Sequence, residues 1–447
     1  IHGNVNELIR ENSYLVSISQ NYKHMAYDYE LVSGNVNKVI YQGEQRDQFI
    51  HKYDYDADNR LLKAYTTQDN IHYDLDAEYF YYLHGPLMRA EIGDVKVQGI
   101  DYAYTLHGWL KGVNSTSLKS DRDMGRDAEI SSVNEYVAQD VFSFSLGYYE
   151  GDFTAIGTSN GSITPTNNAF TQTIGSSFDL ASPDLFNGNI KHMVTAIKPF
   201  MGAGGEPQGM TYAYDQLNRI KSAKSWNSVD VAMNTWTPIG VANPDYETNY
   251  TYDANGNILS LDRSGSSGTN INMDQLTYFY NLGTNQLDHV KDAVPDANHL
   301  TDIDNQSINN YAYDGIGNMT QDVKEEIENI EWTVYGKIEK ITRTAISDKA
   351  DLEFEYTPDG HRSLKRVYFK NPGGGGISHI EETYYIRDAS GNMMSTYIVK
   401  NAEFTWQSSA IYGSSRIGVV ETDMLLVDNS GTPVVNPLPT GEVEFYR

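Results

Sequence analysis

Cysteine is absent from all 447 residues, which excludes disulfides, thiolate zinc sites, iron–sulfur clusters and Cys nucleophiles together and makes passage through an oxidising compartment harmless. Long apolar runs are missing too. None approaches the roughly 18 residues that a membrane helix needs, so no membrane insertion is expected. Positive charge is scarce: 33 Lys plus Arg against 60 Asp plus Glu leave a formal net charge of -27. Phosphate backbones and anionic lipid surfaces are repelled by such a chain at long range, and nucleic acid is not an expected partner. Aliphatic side chains are also few. The hydrophobic fraction is 39%, and it includes 34 Tyr against 14 Phe and 5 Trp. Tyrosine joins an apolar ring to a hydroxyl that must reach water or a partner, which suits sheets that are wet on at least one side.

What is present is a repeat. Four segments share aromatic, any, Tyr, Asp, two variable residues, Gly or Asn, a polar residue and an apolar one. They are Tyr53-Asp54-Tyr55-Asp56-Ala57-Asp58-Asn59-Arg60-Leu61, Tyr212-Ala213-Tyr214-Asp215-Gln216-Leu217-Asn218-Arg219-Ile220, Tyr250-Thr251-Tyr252-Asp253-Ala254-Asn255-Gly256-Asn257-Ile258 and Tyr311-Ala312-Tyr313-Asp314-Gly315-Ile316-Gly317-Asn318-Met319. Degenerate copies include Tyr278-Phe279-Tyr280-Asn281, Phe354-Glu355-Tyr356 with Asp359-Gly360-His361, and Tyr385-Ile386-Arg387-Asp388-Ala389-Ser390-Gly391-Asn392-Met393. Gly3-Asn4-Val5 matches the second half of a unit, so the sequence is expected to start inside a repeat, and it carries neither the basic nor the apolar part of a signal peptide.

Each position has a physical reason. Tyr at i and i+2 shares one face of a strand and can stack there. In a buried ladder, truncating Tyr252 or Tyr313 to Ala would cost roughly 3 to 5 kcal/mol. The Asp accepts N–H groups just ahead of it and starts a turn. Gly or Asn then takes positive φ and reverses the chain, after which alternation resumes, as in Ile258-Leu259-Ser260-Leu261. One unit is therefore a β-hairpin. The turn markers Asn257, Asn285, Asn318, Gly336, Gly360 and Gly391 lie 18 to 33 residues apart, too irregular for propeller blades. The expected fold is all-β: repeated hairpins in a long antiparallel sheet that spirals on itself.

The Tyr-Asp units resemble the YD repeats of the RHS family. So do Tyr82-Leu83-His84-Gly85, Tyr104-Thr105-Leu106-His107-Gly108-Trp109, Trp332-Thr333-Val334-Tyr335-Gly336 and Ile411-Tyr412-Gly413-Ser414-Ser415-Arg416. The resemblance implies a strip of β-sheet spiralling into a hollow shell that encloses the chain's own C-terminal passenger, often a toxin, in a secreted or surface-displayed bacterial protein. A full shell of that family needs more chain than this, so an arc is expected. The stretch Leu438 to Arg447 stops short of the motif by which relatives close the shell and release the passenger, and neither cleavage residues nor a toxin are assigned.

Organisation follows from the same marks. Residues 1–119 and 205–425 carry repeats, 120–204 read as an insertion with a polar loop from Gly157 to Thr173, and 426–447 as a tail. Within the insertion, Phe142-Ser143-Phe144-Ser145-Leu146 alternates as a strand. Ser264–Gly268 and glycines 373–376 read as flexible loops.

Candidate chemistry weighs little against this scaffold. Asp54, Asp56 and Asp58 have the spacing that opens an EF-hand loop, but position six is Asn59 where Gly is needed and position twelve is Tyr65 where Glu is needed. They read as a YD turn with a solvated acidic face, and they remain, with Asp302 and Asp304, the weak metal candidates. The eleven His show no ligand spacing. Gly413-Ser414-Ser415-Arg416-Ile417 fails the nucleophile-elbow pattern at its last position, and Gly202 to Pro207 is no dinucleotide loop. Trp109, Trp226, Trp332 and Trp406 read as cross-strand packing ahead of sugar-stacking platforms. No catalytic residue and no cofactor are expected. The leading expectation is a non-enzymatic shell segment carrying a C-terminal passenger. By resemblance it is exported through the periplasm of a Gram-negative bacterium by an outer-membrane secretion machine of type IX. A surface adhesin that binds glycans is the alternative, and a polysaccharide-acting enzyme a third.

Overall fold

A computed structural model describes residues 4–155, 168–198, 207–227, 229–237, 242–266, 271–299, 302–373, 376–434 and 445–446. Most of Gly157–Thr173, Gly202–Pro207 and Leu438–Arg447, and parts of the Ser264–Gly268 and 373–376 loops, lie outside these residues. Every ladder between the described strands is antiparallel, and most strands pair with the next one along the chain, so the fold is the all-β hairpin meander that the repeats predict; the exception within the second unit is Ile220–Trp226, which pairs with Ala242–Tyr252 past the separate small hairpin of Val229–Asp230 and Thr235–Trp236. Among the described residues no helix is long and apolar enough to cross a membrane.

The chain divides into two compact units. The first comprises Ile1–Tyr79 and Asn310–Arg447. Its early strands run from Glu7–Glu11 through Tyr22–Tyr29, Val36–Tyr41, Phe49–Tyr55 and Leu61–Thr67. Its later strands run from Tyr311–Tyr313 to Arg416–Val427. The apolar faces of both runs meet in one core, where Met25, Tyr41 and Phe49 pack with Leu364, Tyr384, Tyr397, Phe404 and Trp406. The centre of that core is polar. Lys23 is buried against Asp47 at 2.5 Å, with its ammonium 4.2 Å from the Tyr397 ring centroid. Tyr397 donates to Asp47 at 2.6 Å and shares a 2.6 Å hydrogen bond with Tyr41. Burial pushes the Lys23 ammonium down, against the opposing pull of Asp47. Removing one partner of such a pair leaves an uncompensated buried charge, so the network fixes which faces meet.

The second unit is Phe80–Asn309. Its meander includes Phe142–Gly147 and His192–Ile197, which pair with each other and with Leu110–Val113 and Gln208–Tyr214 on either side. The stretch 120–204 therefore contributes two sheet strands where the Tyr-Asp pattern lapses, because ladder formation needs backbone N–H and C=O groups and no particular side chain. Around them Phe178, Val194, Trp226, Val229 and Trp236 form a small core, with Phe178 stacked on Trp236 at 4.0 Å between centroids. A second small core holds Leu261, Leu276 and Val290. Both are slight, as the thin aliphatic content predicts.

Candidate functional site

The repeated residues build one local device several times over. In each of the units headed by Asp56, Asp215, Asp253, Asp314 and Asp388, carboxylate Oδ1 accepts the backbone N–H groups of the second and fourth residues ahead, at 2.8–3.0 Å. Oδ2 accepts from the side chain of that fourth residue, Arg60, Arg219, Asn257, Asn318 or Asn392, at 2.6–2.9 Å. The turn also closes on its own backbone, as where Asp253 N–H donates to Asn257 O and Gly256 N–H to Asp253 O. The third residue ahead lies in the left-handed region, with φ 62° at Asn59, 61° at Asn218, 94° at Gly256 and 96° at Gly317. That conformation is why the sequence alternates Gly and Asn there and admits no branched residue. Hydrogen bonds from the Asn257 amide and the loop backbone hold the Asp253 carboxyl below the usual carboxylate range.

The second Tyr of the unit does something periodicity does not reveal. Its hydroxyl donates to the carbonyl of the first apolar residue after the preceding turn: Tyr55 to Val36, Tyr214 to Ile190, Tyr252 to Ile220, Tyr280 to Ile258 and Tyr356 to Ile338, all at 2.7–3.0 Å. Tyr29 reaches Val5 in the same way, and Tyr148 reaches Leu110. In one unit Trp332 replaces Tyr, and its indole N–H donates to Met319 O at 2.8 Å. Each of these hairpins is thus clasped to the one before it. Because the clasp reaches the neighbouring strand whatever the loop between them, the 18–33 residue irregularity of the turn markers is accommodated. The first Tyr adds stacking, with Tyr250 and Tyr252 6.2 Å apart and 13° from parallel. Arg219 lies over the Tyr252 ring at 4.6 Å and donates to Asp253 O at 3.1 Å, tying one turn to the next. Asn255 and Asn257 likewise both donate to Asn285 Oδ1.

The remaining sequence candidates fall into this frame. Tyr53, Tyr55, Tyr212, Tyr214, Tyr250, Tyr252, Tyr311 and Tyr313 lie on strands ahead of their turns, all partly buried or at the surface. Asp56 is held by its own turn and by Arg60, while Asp54 faces Lys52 at 3.8 Å and Asp58 faces Arg60 at 3.5 Å. Gly413 and Ser414 form a hairpin turn in which Ser414 N–H donates to the Tyr79 hydroxyl at 3.1 Å. Trp226 and Trp406 are buried in cores. A sixth turn of the same kind, Asp428-Asn429-Ser430-Gly431-Thr432, follows Val427 where the others have Tyr, and Asp428 Oδ1 accepts from Ser430 and Thr432 N–H at 2.9 and 3.0 Å.

Two charged clusters in the second unit have no counterpart in the repeat. A cleft of roughly 290 Å³ is lined by Lys111, Asp152, Asp179 and His192. Lys111 is paired with Asp152 at 2.8 Å, and Lys191, next to His192 in the chain, with Asp179 at 2.9 Å and Asp184 at 2.7 Å. Burial, helped by Lys111 and Lys191, pushes His192 down to about 3, so it is neutral at physiological pH. Elsewhere Arg89 is buried among Glu91, Asp101 and Asp127 at 3.0, 2.6 and 2.5 Å. Burial raises Asp101 and Asp127 to about 6 against the pull of Arg89. Asp140, which accepts from Gln98 at 2.9 Å, is pushed up further by burial and by Asp123, Asp127 and Asp101. Sequence reasoning had no signal for either cluster, since their members are up to 81 residues apart in the first and 51 in the second.

No family model matches the chain, and no curated protein sequence matches it. Among solved structures it is similar to a crystal structure of TcdB2-TccC3 without its hypervariable C-terminal region, with 12% identity over 93% of this chain and 19% of that one and a TM-score of 0.49. It is similar also to a Photorhabdus luminescens Tc holotoxin pore, with 13% identity over 95% of this chain and 18% of that one and a TM-score of 0.49. The chain therefore spans about a fifth of the length of the structures it matches.

Proposed function

We propose that this chain is a wall segment of a hollow β-shell within a longer secreted protein, and that the shell encloses and carries a C-terminal passenger, a toxin by resemblance to the RHS family. One observation carries the proposal. The positions that recur from unit to unit, the Tyr, the Asp, the Gly or Asn and the polar residue after it, all act within the wall as clasp, turn acceptor, reversal point and carboxylate partner. What the chain repeats is architecture. Outside the first unit's core the wall has only slight cores and must hold together by ladders, clasps and stacked rings, which matches the composition. Export through the periplasm and an outer-membrane machine of type IX belongs to the same proposal, as does the absence of catalysis in this segment. Purifying the native full-length product, measuring its intact mass and treating it with protease tests it. A chain much longer than 447 residues with a protease-protected C-terminal segment is expected. A product without a protected segment refutes carriage.

One observation favours surface binding as a second function. Several turn tips expose large apolar side chains almost fully, Leu83, Leu106 and Leu282 in the second unit and Ile316 and Val334 in the first. Exposed apolar residues that recur at equivalent positions mark contact surfaces when they are contiguous. Replacing Leu83, Leu106 and Leu282 together with Ser would abolish attachment to cells or glycans if those tips bind them, and would leave protease protection of the passenger unchanged.

A further inference from the structure

Asp274, Asp292 and Asp302 come from two strands and a loop of the second unit, and each brings a carboxylate oxygen within 4.8 Å of the other two. Asp274 is wholly buried on the strand Asn272–Tyr280. Its Oδ2 accepts from Arg263 Nε at 2.6 Å, but its buried Oδ1 has no hydrogen-bond partner among the described residues. An unsatisfied carboxylate oxygen beside two more carboxylates is a costly arrangement in a protein interior. Asp292 ends the strand Leu287–Asp292, and its Oδ1 accepts the N–H groups of Gln275 at 2.9 Å and Val294 at 3.0 Å. Asp302 is held beside them because the loop after it is pinned to the same strand. Gln306 Oε1 accepts Val290 N–H at 2.8 Å, Asn305 Oδ1 accepts Asp292 N–H at 3.2 Å, and Lys291 donates to Gln306 O at 2.6 Å. Three carboxylates thus converge where one guanidinium, Arg263, supplies the opposing charge.

We propose that Asp274, Asp292 and Asp302 form a calcium site that locks the 302–306 loop onto the sheet. The donor set is all oxygen and anionic, which suits hard cations and disfavours zinc or copper. Oxygens bound to one Ca²⁺ at about 2.3 to 2.6 Å lie up to about 5 Å apart, whereas the shorter bonds of Mg²⁺ demand a tighter, near-octahedral cage. The three oxygens lie within that Ca²⁺ range of one another. The cation would give Asp274 Oδ1 its missing partner and cancel the two uncompensated charges. The inference is independent of the passenger.

The test is calorimetric titration of the chelator-treated chain with CaCl₂ in about 0.15 M NaCl, where diffuse attraction to the acidic surface is screened. One Ca²⁺ per chain is expected to bind and raise Tm, with Mg²⁺ at equal concentration raising it less. Asp302→Asn, in a partly exposed loop, should weaken binding at least 10-fold and remove the Tm shift, whereas Asp54→Asn should change neither. Equal binding by wild type and Asp302→Asn overturns the proposal, as does a Mg²⁺ effect equal to that of Ca²⁺. Hydrogen exchange of the unaltered chain gives a second readout that needs no variant. Amides of 302–306 should exchange at least 10-fold more slowly with Ca²⁺, and unchanged rates refute the site.

Discussion

Tyr252→Phe isolates the clasp. The substitution keeps the ring, its stacking on Tyr250 at 6.2 Å and the Arg219 guanidinium 4.6 Å above it, and deletes only the hydroxyl that donates to Ile220 O at 2.7 Å. A net intramolecular hydrogen bond contributes roughly 0.5 to 1.5 kcal/mol. Because Tyr252 is half-buried and water can partly serve the abandoned carbonyl, a loss of about 0.5 to 1 kcal/mol is expected. The same partial burial places Tyr252→Ala and Tyr313→Ala below the roughly 3 to 5 kcal/mol of a fully buried aromatic truncation. Tyr250→Phe is the control, since among the described residues its hydroxyl makes no hydrogen bond, and it should stay within about 0.5 kcal/mol of wild type. Combining Tyr214→Phe, Tyr252→Phe and Tyr280→Phe removes three clasps on different hairpins, to Ile190, Ile220 and Ile258. If the three act independently, the triple variant should lose roughly 1.5 to 3 kcal/mol. Urea unfolding reads this as a lower midpoint at unchanged slope. A Tyr252→Phe midpoint equal to that of Tyr250→Phe, or a triple variant indistinguishable from wild type, would refute the clasp.

Two further outcomes follow from the turn and from the buried acids. Gly256→Val places a branched residue at φ 94° and should cost roughly 1 to 3 kcal/mol, while Gly256→Asn, the residue found at the same turn position in Asn59 and Asn218, should cost less; equal urea midpoints for the two would contradict the backbone origin of the preference. Asp101, Asp127 and Asp140 have folded pKa values raised above that of an unfolded Asp, so the native state holds more protons and these groups lower stability as pH rises from about 4 through about 6 and beyond. Asp140→Asn keeps an acceptor for Gln98 and abolishes the ionisation that favours the unfolded chain, so it should stabilise the chain by roughly 1 to 3 kcal/mol at pH 8 and much less at pH 5. A thermal shift that is the same at both pH values would show that Asp140 is not held protonated.

What could be read from the sequence was whatever one unit encodes by itself. Asp253, Gly256 and Asn257 make their bonds within five residues, so their spacing states their geometry, and the hairpin and its positive φ followed directly. Tyr252 was legible only by half. Its position on a strand face was evident, but the partner of its hydroxyl is Ile220 O, 32 residues earlier, and a carbonyl carries no sequence signal. Asp428 shows the converse, a turn that works without the Tyr that advertises the others, because acceptor geometry and clasp are separable functions. The acids show the limit more sharply. Asp54, Asp56 and Asp58 have suggestive spacing, yet Asp54 lies near the end of its strand facing Lys52 while Asp56 and Asp58 stand in the turn beside Arg60, so each serves a local cation. Asp274, Asp292 and Asp302 converge through strand register, for Gln275 opposes Asp262 while Leu276 opposes Asp292, and a one-residue slip would send Asp292 to the other face. The clasps that oppose such slips are therefore what makes any site built across strands reproducible, and the surplus of Tyr over Phe is the compositional trace of that requirement.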